Sequence, residues 1–352
     1  MARRSINIYG TGEEALKFAI YHAGKYRIKA FIDGRRPYPK AFLSGYLGYN
    51  VPVYYLDEID EKVLKDYTVV CSSEAAYREI RDNLINMGLQ EFADFEYYRT
   101  FEKKIALMYG NCHAEFIKNI LSQAPCFSQI YGFYPLKPIC QIKSEGTNDL
   151  ELDIFSKCDL LIHQCIWEKN VYGIEFASSH IVRKAKPSCR IIGLPNLYRM
   201  PRFLYPQIEI EDRVAWENRH YYCFSDKYID AICDSSIDDI CSMITDDNFL
   251  DYKSIVEEYH VFVGKVKARE LEWDIKPSEF IVNNIKKQKL FFDPNHPTNS
   301  FLVYIAQNVC GLLNISSTGV EARDSMSLDT YEVPVYHSVH KALGFEYAPP
   351  AS

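Results

Sequence analysis

A cysteine and a histidine stand side by side where a predicted strand runs into a predicted helix. The stretch is "ALMYGNCHAEFIKNIL" (residues 106–121), in which Gly110-Asn111-Cys112-His113 separates an apolar run from a helical pattern. A helix N-terminus presents unpaired N–H groups and a partial positive charge, which favour a thiolate and stabilise an oxyanion. The junction therefore predicts Cys112 as a nucleophile. The alternative is a buried thiol beside a glycine turn.

Two further polar segments lie at the ends of predicted elements. They are Asp293-Pro294-Asn295-His296, before a predicted helix from about Ser300 to Leu313, and His163-Gln164, after the apolar strand "CDLLI". Open parallel sheets bind ligands at the carboxyl ends of their strands, so we expect these segments to face Cys112. His296 would then act as a general base whose tautomer Asp293 fixes. The alternatives are a turn capped by Asp293 and a core histidine at position 163.

Amide groups near the thiol predict an oxyanion hole or substrate contacts. We expect these from Gly110, Asn111, His113, Gln164 and Asn295. For His113, packing in the first helical turn is the alternative.

The two motifs resemble those of the WcbI-type polysaccharide biosynthesis enzymes. "YGNCHAEFIKNIL" and "DPNHPTN" have the form and order of that family's motifs, over roughly residues 104–315. They are also similar to the SGNH hydrolase pattern, with Gly110-Asn111-Cys112 in place of its Gly-Asp-Ser block. The cysteine and the asparagine argue against ordinary esterase activity. The resemblance implies an SGNH-like α/β domain that binds coenzyme A (CoA) and acetylates a sugar of a capsular or surface polysaccharide.

Two versions of this chemistry are open. In the first, Cys112 takes the acetyl group from acetyl-CoA as a thioester and passes it to a sugar hydroxyl that His296 deprotonates. In the second, His296 activates the hydroxyl for direct attack on acetyl-CoA, and Cys112 only lines the pocket.

Lysines just upstream of the late motif are candidates for the phosphates of CoA, which need cations. "NNIKKQKLFF" supplies Lys286, Lys287 and Lys289. Lys265, Lys267 and Arg269 are a weaker set. A solvated helix face is the alternative for both.

The N-terminal part carries a second ligand motif. Residues 10–15, "GTGEEA", match the G-x-G-x-x-G/A pattern after a strand, and Asp33 ends the next strand, where a ribose-binding acid would stand. Gly10, Gly12 and Asp33 are therefore predicted to bind NAD or a nucleotide-sugar, although Glu13 and Glu14 would repel a pyrophosphate. A structural role is the alternative. The stretch resembles the Rossmann-like modules that precede sialic-acid-type acetyltransferases.

Alternating strands and helices predict an α/β protein with two doubly wound parallel-sheet domains. Residues 1–101 would form a Rossmann-like domain. Residues 102–345 would form an SGNH/flavodoxin-like domain with a mostly helical insertion at about 208–290, and residues 346–352 a flexible tail.

Composition excludes several classes. The 352 residues carry a formal net charge of −7, which argues against a general nucleic-acid binder. No segment has the roughly 20 apolar residues of a membrane span, and the N-terminus lacks the apolar core of a signal peptide. Cysteine and histidine spacings suggest no metal site. We therefore expect a bacterial cytoplasmic protein, with its oligomeric state open.

Together these patterns predict an acetyl-CoA-dependent O-acetyltransferase that acts on a sugar in surface-polysaccharide biosynthesis. One alternative is an SGNH-like acyl-ester hydrolase that uses the same residues. A second is a non-catalytic module that binds a nucleotide-sugar. A third is an NAD-dependent enzyme centred on the first domain, for which no catalytic partner is visible.

Overall fold

A computed structural model describes residues 4–34, 47–59, 63–145, 150, 152–169, 172–196, 202–206, 208–215, 219–231, 236–323 and 333–348. Residues 349–352 of the predicted tail lie outside this set. None of the helices in the described ranges is long and apolar enough to span a bilayer. The chain forms two compact units, one of residues 1–105 with 131–135 and the other of 106–130 with 136–352.

The first unit contains a five-stranded parallel sheet in the order β3-β2-β1-β4-β5. Its strands are β1 (Arg4–Tyr9), β2 (Tyr26–Asp33), β3 (Val53–Tyr55), β4 (Tyr67–Val70) and β5 (Phe95–Tyr97), and its helices are α1 (Glu13–His22) and α2 (Glu74–Asn86). The central strand β1 is flanked on both sides, and Ile8 pairs with Phe31 and Val69, all fully buried. Burial on both faces explains the near-continuous apolar runs of these strands.

A second sheet has four strands in the order β7-β6-β8-β9, with β8 parallel to both β6 and β9. The strands are β6 (Lys104–Tyr109), β7 (Tyr131–Phe133), β8 (Leu160–Gln164) and β9 (Arg190–Leu194). The prediction of an α/β protein with two parallel sheets is confirmed.

The helices that follow β6 start with α3, which begins three residues after that strand. They are α3 (Cys112–Gln123), α4 (Pro125–Ser128), α5 (Ile139–Ser144), α6 (Ser178–Val182), α7 (Lys227–Ala231), α8 (Ile237–Thr245), α9 (Tyr252–Arg269), α10 (Ser278–Asn284), α11 (Asn299–Leu312) and α12 (His337–Leu343). Helix α3 packs against α11. Ile117 and Leu121 of α3 are buried, as are Leu302 and Ile305 of α11. Because α3 begins at Cys112 and α11 follows the late motif, this packing brings the two motifs together.

The predicted helical insertion is wrong in its first part. Residues 208–215 and 219–226 form two antiparallel strands, β10 (Ile208–Ala215) and β11 (Arg219–Asp226), before α7 begins. The sequence "IEIEDRVA" places apolar residues at every second position in its first half, which is the period of a strand. Its many charges hid that alternation. The helices expected after it are α7 to α10.

Candidate active site

Asn111 holds the turn between β6 and α3 through bonds to α3 and to Gln164 of β8. The Asn111 side chain caps α3 by accepting from the His113 N–H (3.0 Å), and the Asn111 N–H donates to Gln164 Oε1 (2.7 Å). A Cβ on Gly110 would lie 2.5 Å from Gln164 Oε1 and 2.7 Å from Ala114 Cβ. Only glycine fits there without displacing its neighbours. Gly110 and the Asn111 cap together place Cys112 at the first position of the helix.

The late motif folds around the Asp293 carboxylate. Oδ1 accepts from the backbone N–H groups of Asn295 (2.6 Å) and His296 (2.9 Å), and the Phe292 N–H donates to the His296 carbonyl (2.8 Å). Asp293 is 1% exposed. The carboxylate both caps the turn and orients the histidine, so the two interpretations of Asp293 are compatible.

Cys112, His296 and Asp293 form a line of contacts. Cys112 Sγ lies 3.9 Å from His296 Nε2, and His296 Nδ1 lies 2.7 Å from Asp293 Oδ2. Cys112 and His296 are both half-buried. A carboxylate on Nδ1 holds that nitrogen's proton, so Nε2 is left to exchange a proton with the thiol.

Electrostatics keep His296 protonated near neutral pH. Burial by itself would lower the pKa of the imidazole, but its hydrogen bonds to Asp293 and Cys112 outweigh burial and raise the pKa to about 9. A protonated imidazole beside a thiol is placed to stabilise negative charge on the sulfur.

His113 connects the two motifs. Its Nε2 hydrogen-bonds to the backbone carbonyl of Asn295, and the ring is 4% exposed. Burial, and next the nearby charge of His296, lower the pKa of His113 to about 4, so it is neutral at physiological pH. His113 therefore fixes the position of the late turn relative to α3.

Two side-chain amide atoms beside these residues are buried and, among the described residues, have no hydrogen-bond partner. They are Gln164 Nε2, a donor, and Asn295 Oδ1, an acceptor. A buried amide atom without a partner costs about 1–3 kcal/mol. Such atoms are suited to contact a substrate oxygen or hydroxyl.

Comparison with known proteins decides the family. The model of the family "Polysaccharide biosynthesis enzyme WcbI" matches residues 105–318. The chain belongs to the WcbI family. A solved structure described as native WcbI, a polysaccharide biosynthesis enzyme, without a disulfide bond between CoA and one of its cysteines, is 20% identical. It matches 71% of this chain and 82% of its own with a TM-score of 0.58, which shows a shared fold.

A pseudomurein peptide ligase type C from Methanothermus fervidus has a TM-score of 0.24 at 12% identity, covering 62% of this chain and 53% of its own, too low to indicate a common fold. No curated protein matches the sequence.

Sequence reasoning missed a second thiol at this WcbI-family site. Cys140, near the start of α5, is held close to Cys112. Burial and the charge of Cys112 raise the pKa of Cys140, while N–H groups that include that of Cys112 lower it. The carbonyl of Gly110 accepts from the Ile139 N–H (2.9 Å), which ties α5 to the nucleophile turn. No motif marks Cys140, because its place depends on this tertiary contact.

The same residues include a set of donors that could hold a metal ion. One ligand atom from each of Cys112, His113 and His296 lies within 4.8 Å of the other two. Spacing along the chain did not reveal this convergence, because His296 is distant in sequence.

His163 lies on β8 and is 7% exposed. Burial lowers its pKa, and its Nδ1 contacts the Gln164 carbonyl at 3.2 Å.

Cations are available at two places. Lys286 and Lys287 are exposed and Lys289 is half-buried, just before the late motif. A separate cavity of about 530 Å³ is lined by the cations Arg202, Lys227 and Lys265, by the carboxylates of Asp251 and Glu258, and by apolar and aromatic side chains.

The predicted nucleotide residues meet at the carboxyl edge of the first sheet. Gly10 has φ +123°, and a Cβ on it would lie 2.4 Å from the Cys71 carbonyl oxygen. A Cβ on Gly12, the residue before α1, would meet nothing within 4 Å. The Thr11 hydroxyl donates to Asp33. Gly10 is thus required by packing, and Gly12 leaves open space.

Proposed function

We propose that this WcbI-family protein transfers an acetyl group from acetyl-CoA to a sugar hydroxyl during surface-polysaccharide biosynthesis in the bacterial cytoplasm. The observation that carries the proposal is the 3.9 Å approach of Cys112 Sγ to His296 Nε2, with Asp293 on the far side of the imidazole. The family's description as polysaccharide biosynthesis enzymes supports a sugar substrate. The CoA named for the neighbour of known structure supports the donor.

The first half-reaction forms an acetyl-cysteine. The Cys112 thiolate attacks the thioester carbonyl, the C–S bond to CoA breaks, and His296 gives its proton to the departing CoA sulfur. One thioester replaces another, so the exchange is nearly balanced in energy and the acetyl group stays activated. His296 is then neutral, and it has lost the thiolate charge that helped to hold its proton.

The second half-reaction regenerates the protein. Neutral His296 takes the proton of the sugar hydroxyl while the hydroxyl oxygen attacks the acetyl carbonyl. The C–S bond to Cys112 breaks, which restores the thiolate–imidazolium pair and releases the O-acetyl sugar. In both steps the backbone N–H of Cys112 and the Gln164 side-chain amide would donate to the oxyanion. Asn295 Oδ1 would accept from a hydroxyl of the sugar.

The phosphates of CoA need a cationic surface, and Lys286, Lys287 and Lys289 are our first candidates. The cavity of Arg202, Lys227 and Lys265 is the second. Calorimetry of CoA binding to two double variants, Lys286→Gln/Lys287→Gln and Arg202→Gln/Lys265→Gln, decides between them. Only the variant that has lost the phosphate contacts should bind CoA more weakly. Its affinity for an acyl pantetheine without phosphate should be unchanged. Wild-type affinity for CoA in both variants would refute both assignments.

For the first unit we propose a nucleotide-sugar at the edge formed by Gly10, Gly12 and Asp33, with NAD as the alternative. Calorimetry with UDP-sugars and NAD separates them. If the wild type binds a UDP-sugar or NAD, replacing Asp33 with Ala should abolish that binding, because Asp33 is the residue expected to contact the ribose.

The decisive experiment for the transferase is intact mass after incubation with acetyl-CoA. We expect one acetyl adduct that is absent in Cys112→Ala and retained in Cys126→Ala, a half-buried cysteine outside the site. Adduct in Cys112→Ala would exclude Cys112 as nucleophile. Sustained activity of Cys112→Ala without adduct would establish direct transfer through His296. Acetate release that no sugar acceptor alters would identify a hydrolase instead.

A further inference from the structure

Two cysteines lie in contact where strands β8 and β9 begin. Cys158 Sγ and Cys189 Sγ are 3.4 Å apart. Cys158 stands two residues before β8, and Cys189 is the residue directly before β9. A disulfide bond is about 2.05 Å long, so a bond between the two sulfurs needs an approach of about 1.4 Å. The pair is therefore close enough to form a disulfide without rearrangement of the sheet.

Lys186 ties together the two segments that carry these thiols. Its ammonium group donates to Asp159 Oδ1 (2.7 Å) and to the Lys157 carbonyl (3.2 Å), on either side of Cys158. Its own carbonyl accepts from the Cys189 N–H (2.9 Å). Because both backbones are held in this way, the short distance between the sulfurs is a property of the fold.

The two thiols differ in exposure and in electrostatic surroundings. Cys158 is fully buried and its Sγ also contacts the Phe155 carbonyl at 3.2 Å, whereas Cys189 is half-buried. Burial, and next the hydrogen bond to Cys189, raise the pKa of Cys158. Burial raises the pKa of Cys189 too, but hydrogen bonds from Cys158 and the Leu161 N–H, and the charge of Lys186, act against it. Cys189 is thus the thiol that a small reagent reaches and that loses its proton more readily.

We propose that Cys158 and Cys189 are a redox modification site, at which a low-molecular-weight disulfide oxidises the two thiols to a reversible disulfide. The Cys189 sulfur attacks one sulfur of the small disulfide, and a first small thiol leaves. The Cys158 sulfur then attacks Cys189 Sγ in the mixed disulfide, the bond to the second small thiol breaks, and that thiol leaves. The two protein thiols lose two electrons and two protons, which the two small thiols receive.

The protein disulfide would close a loop that contains a whole strand of the second sheet. Residues 158–189 include β8 and, at its end, Gln164, which accepts from the Asn111 N–H. A cross-link stabilises a fold mainly by restricting the unfolded chain. Disulfides of cytosolic proteins are usually transient, so we expect this one to form under oxidising conditions and to be reversed by thiols. The site does not depend on the transferase function, because it uses neither Cys112 nor His296.

The test treats the folded protein with oxidised glutathione, alkylates the remaining thiols and digests the protein with trypsin without reductant. Trypsin cleaves after Lys and Arg, so Cys158 and Cys165 are released in one peptide and Cys189 in another. Cys165→Ala is therefore the matched control for Cys158→Ala and Cys189→Ala, since Cys165 is also half-buried. Mass spectrometry with peptide fragmentation assigns each cross-link and each bound glutathione.

We expect wild type and Cys165→Ala to give a Cys158–Cys189 cross-link that excess reduced glutathione removes. Cys158→Ala should instead retain glutathione on Cys189, and Cys189→Ala should carry at least about tenfold less glutathione on Cys158. The oxidised wild type should melt about 5–10 °C above the reduced protein, and this shift should be absent in Cys158→Ala and Cys189→Ala.

Absence of a cross-link in the wild type, or a cross-link that Cys165→Ala abolishes, would overturn the site. These two samples decide the matter even if Cys158→Ala does not fold. Equal amounts of glutathione on Cys158 and Cys189 in the two single variants would overturn the order of attack. An unchanged melting temperature after complete cross-linking would overturn the stabilising effect.

Discussion

Replacing Asp293 with Asn should separate the turn-forming role of this residue from its electrostatic role. The amide oxygen can still accept from the N–H groups of Asn295 and His296, as Oδ1 does now. The side-chain NH2 then faces His296 Nδ1 and donates to it. The neutral imidazole is forced to carry its proton on Nε2, so it cannot accept a proton from a sugar hydroxyl.

The magnitude follows from the pKa of His296. Burial lowers that pKa, while Asp293 and then Cys112 raise it to about 9 from the ordinary value of 6.5 for histidine. Loss of the carboxylate should lower it toward that ordinary value, and a full return from about 9 corresponds to roughly 3 kcal/mol of interaction with the protonated form. By analogy with the serine-protease triad, activity should fall about 10³–10⁴-fold.

The same change alters the pH dependence of stability. Because the folded-state pKa of His296 exceeds the unfolded value, its contribution is complete below about pH 6.5 and is lost as pH rises through about 9. In the wild type this group should therefore make the free energy of unfolding fall by roughly 3 kcal/mol across that window. In Asp293→Asn most of this fall should disappear.

Two measurements check the prediction. NMR titration of the nine histidines, with His296 assigned from the spectrum of His296→Gln, gives the pKa directly. Urea unfolding at about pH 6 and about pH 9.5 gives the change in free energy. Asp274→Asn, which changes an exposed carboxylate that accepts from the Gly193 N–H away from the pair, is the control. An unchanged His296 pKa in Asp293→Asn would refute the electrostatic reasoning.

Three other changes test the site. Gly110→Ala should lower the free energy of unfolding by about 1–3 kcal/mol in urea, because the new Cβ would lie 2.5 Å from Gln164 Oε1; an unchanged midpoint would contradict this packing. Gln164→Glu keeps the acceptor for Asn111 but removes the donor, so acetyl-Cys112 formation should slow about 10²–10³-fold at unchanged CoA affinity, as measured by rapid-quench mass spectrometry. Added Zn²⁺ should inhibit and EDTA should restore activity, because thiol and imidazole ligand atoms converge within 4.8 Å; inhibition by EDTA alone would argue for a metal-dependent reaction.

Local patterns predicted the regular elements well. The strand expected at "YRIKAFID" is β2, Tyr26–Asp33, and the helix expected from about Ser300 to Leu313 is α11, Asn299–Leu312. Both have a strong apolar period and clear ends. The motif order also predicted that Cys112 and His296 meet, and the structure brings the two side chains into contact, while their catalytic roles stay a prediction.

The features that the sequence did not reveal depend on contacts between distant segments. Cys140, Cys158 and Cys189 belong to no motif, and their interest comes only from the segments against which they pack. The strands β10 and β11 differ from the predicted helix because their dense charges mask the alternation of apolar residues. The grouping of possible metal ligands from Cys112, His113 and His296 also depends on a distant contact, because His296 lies far along the chain from the other two.

His296 follows Cys112 by 184 positions in the chain, which has a consequence for the protein during synthesis. Ribosomes add about 5–20 residues per second, so on the order of 10–40 s pass before the histidine follows the cysteine out of the peptidyl-transferase centre. Throughout that interval the nascent chain carries a thiol without its proton partner. In the proposed mechanism, the reactivity of Cys112 toward thioesters therefore begins only when most of the polypeptide has been made.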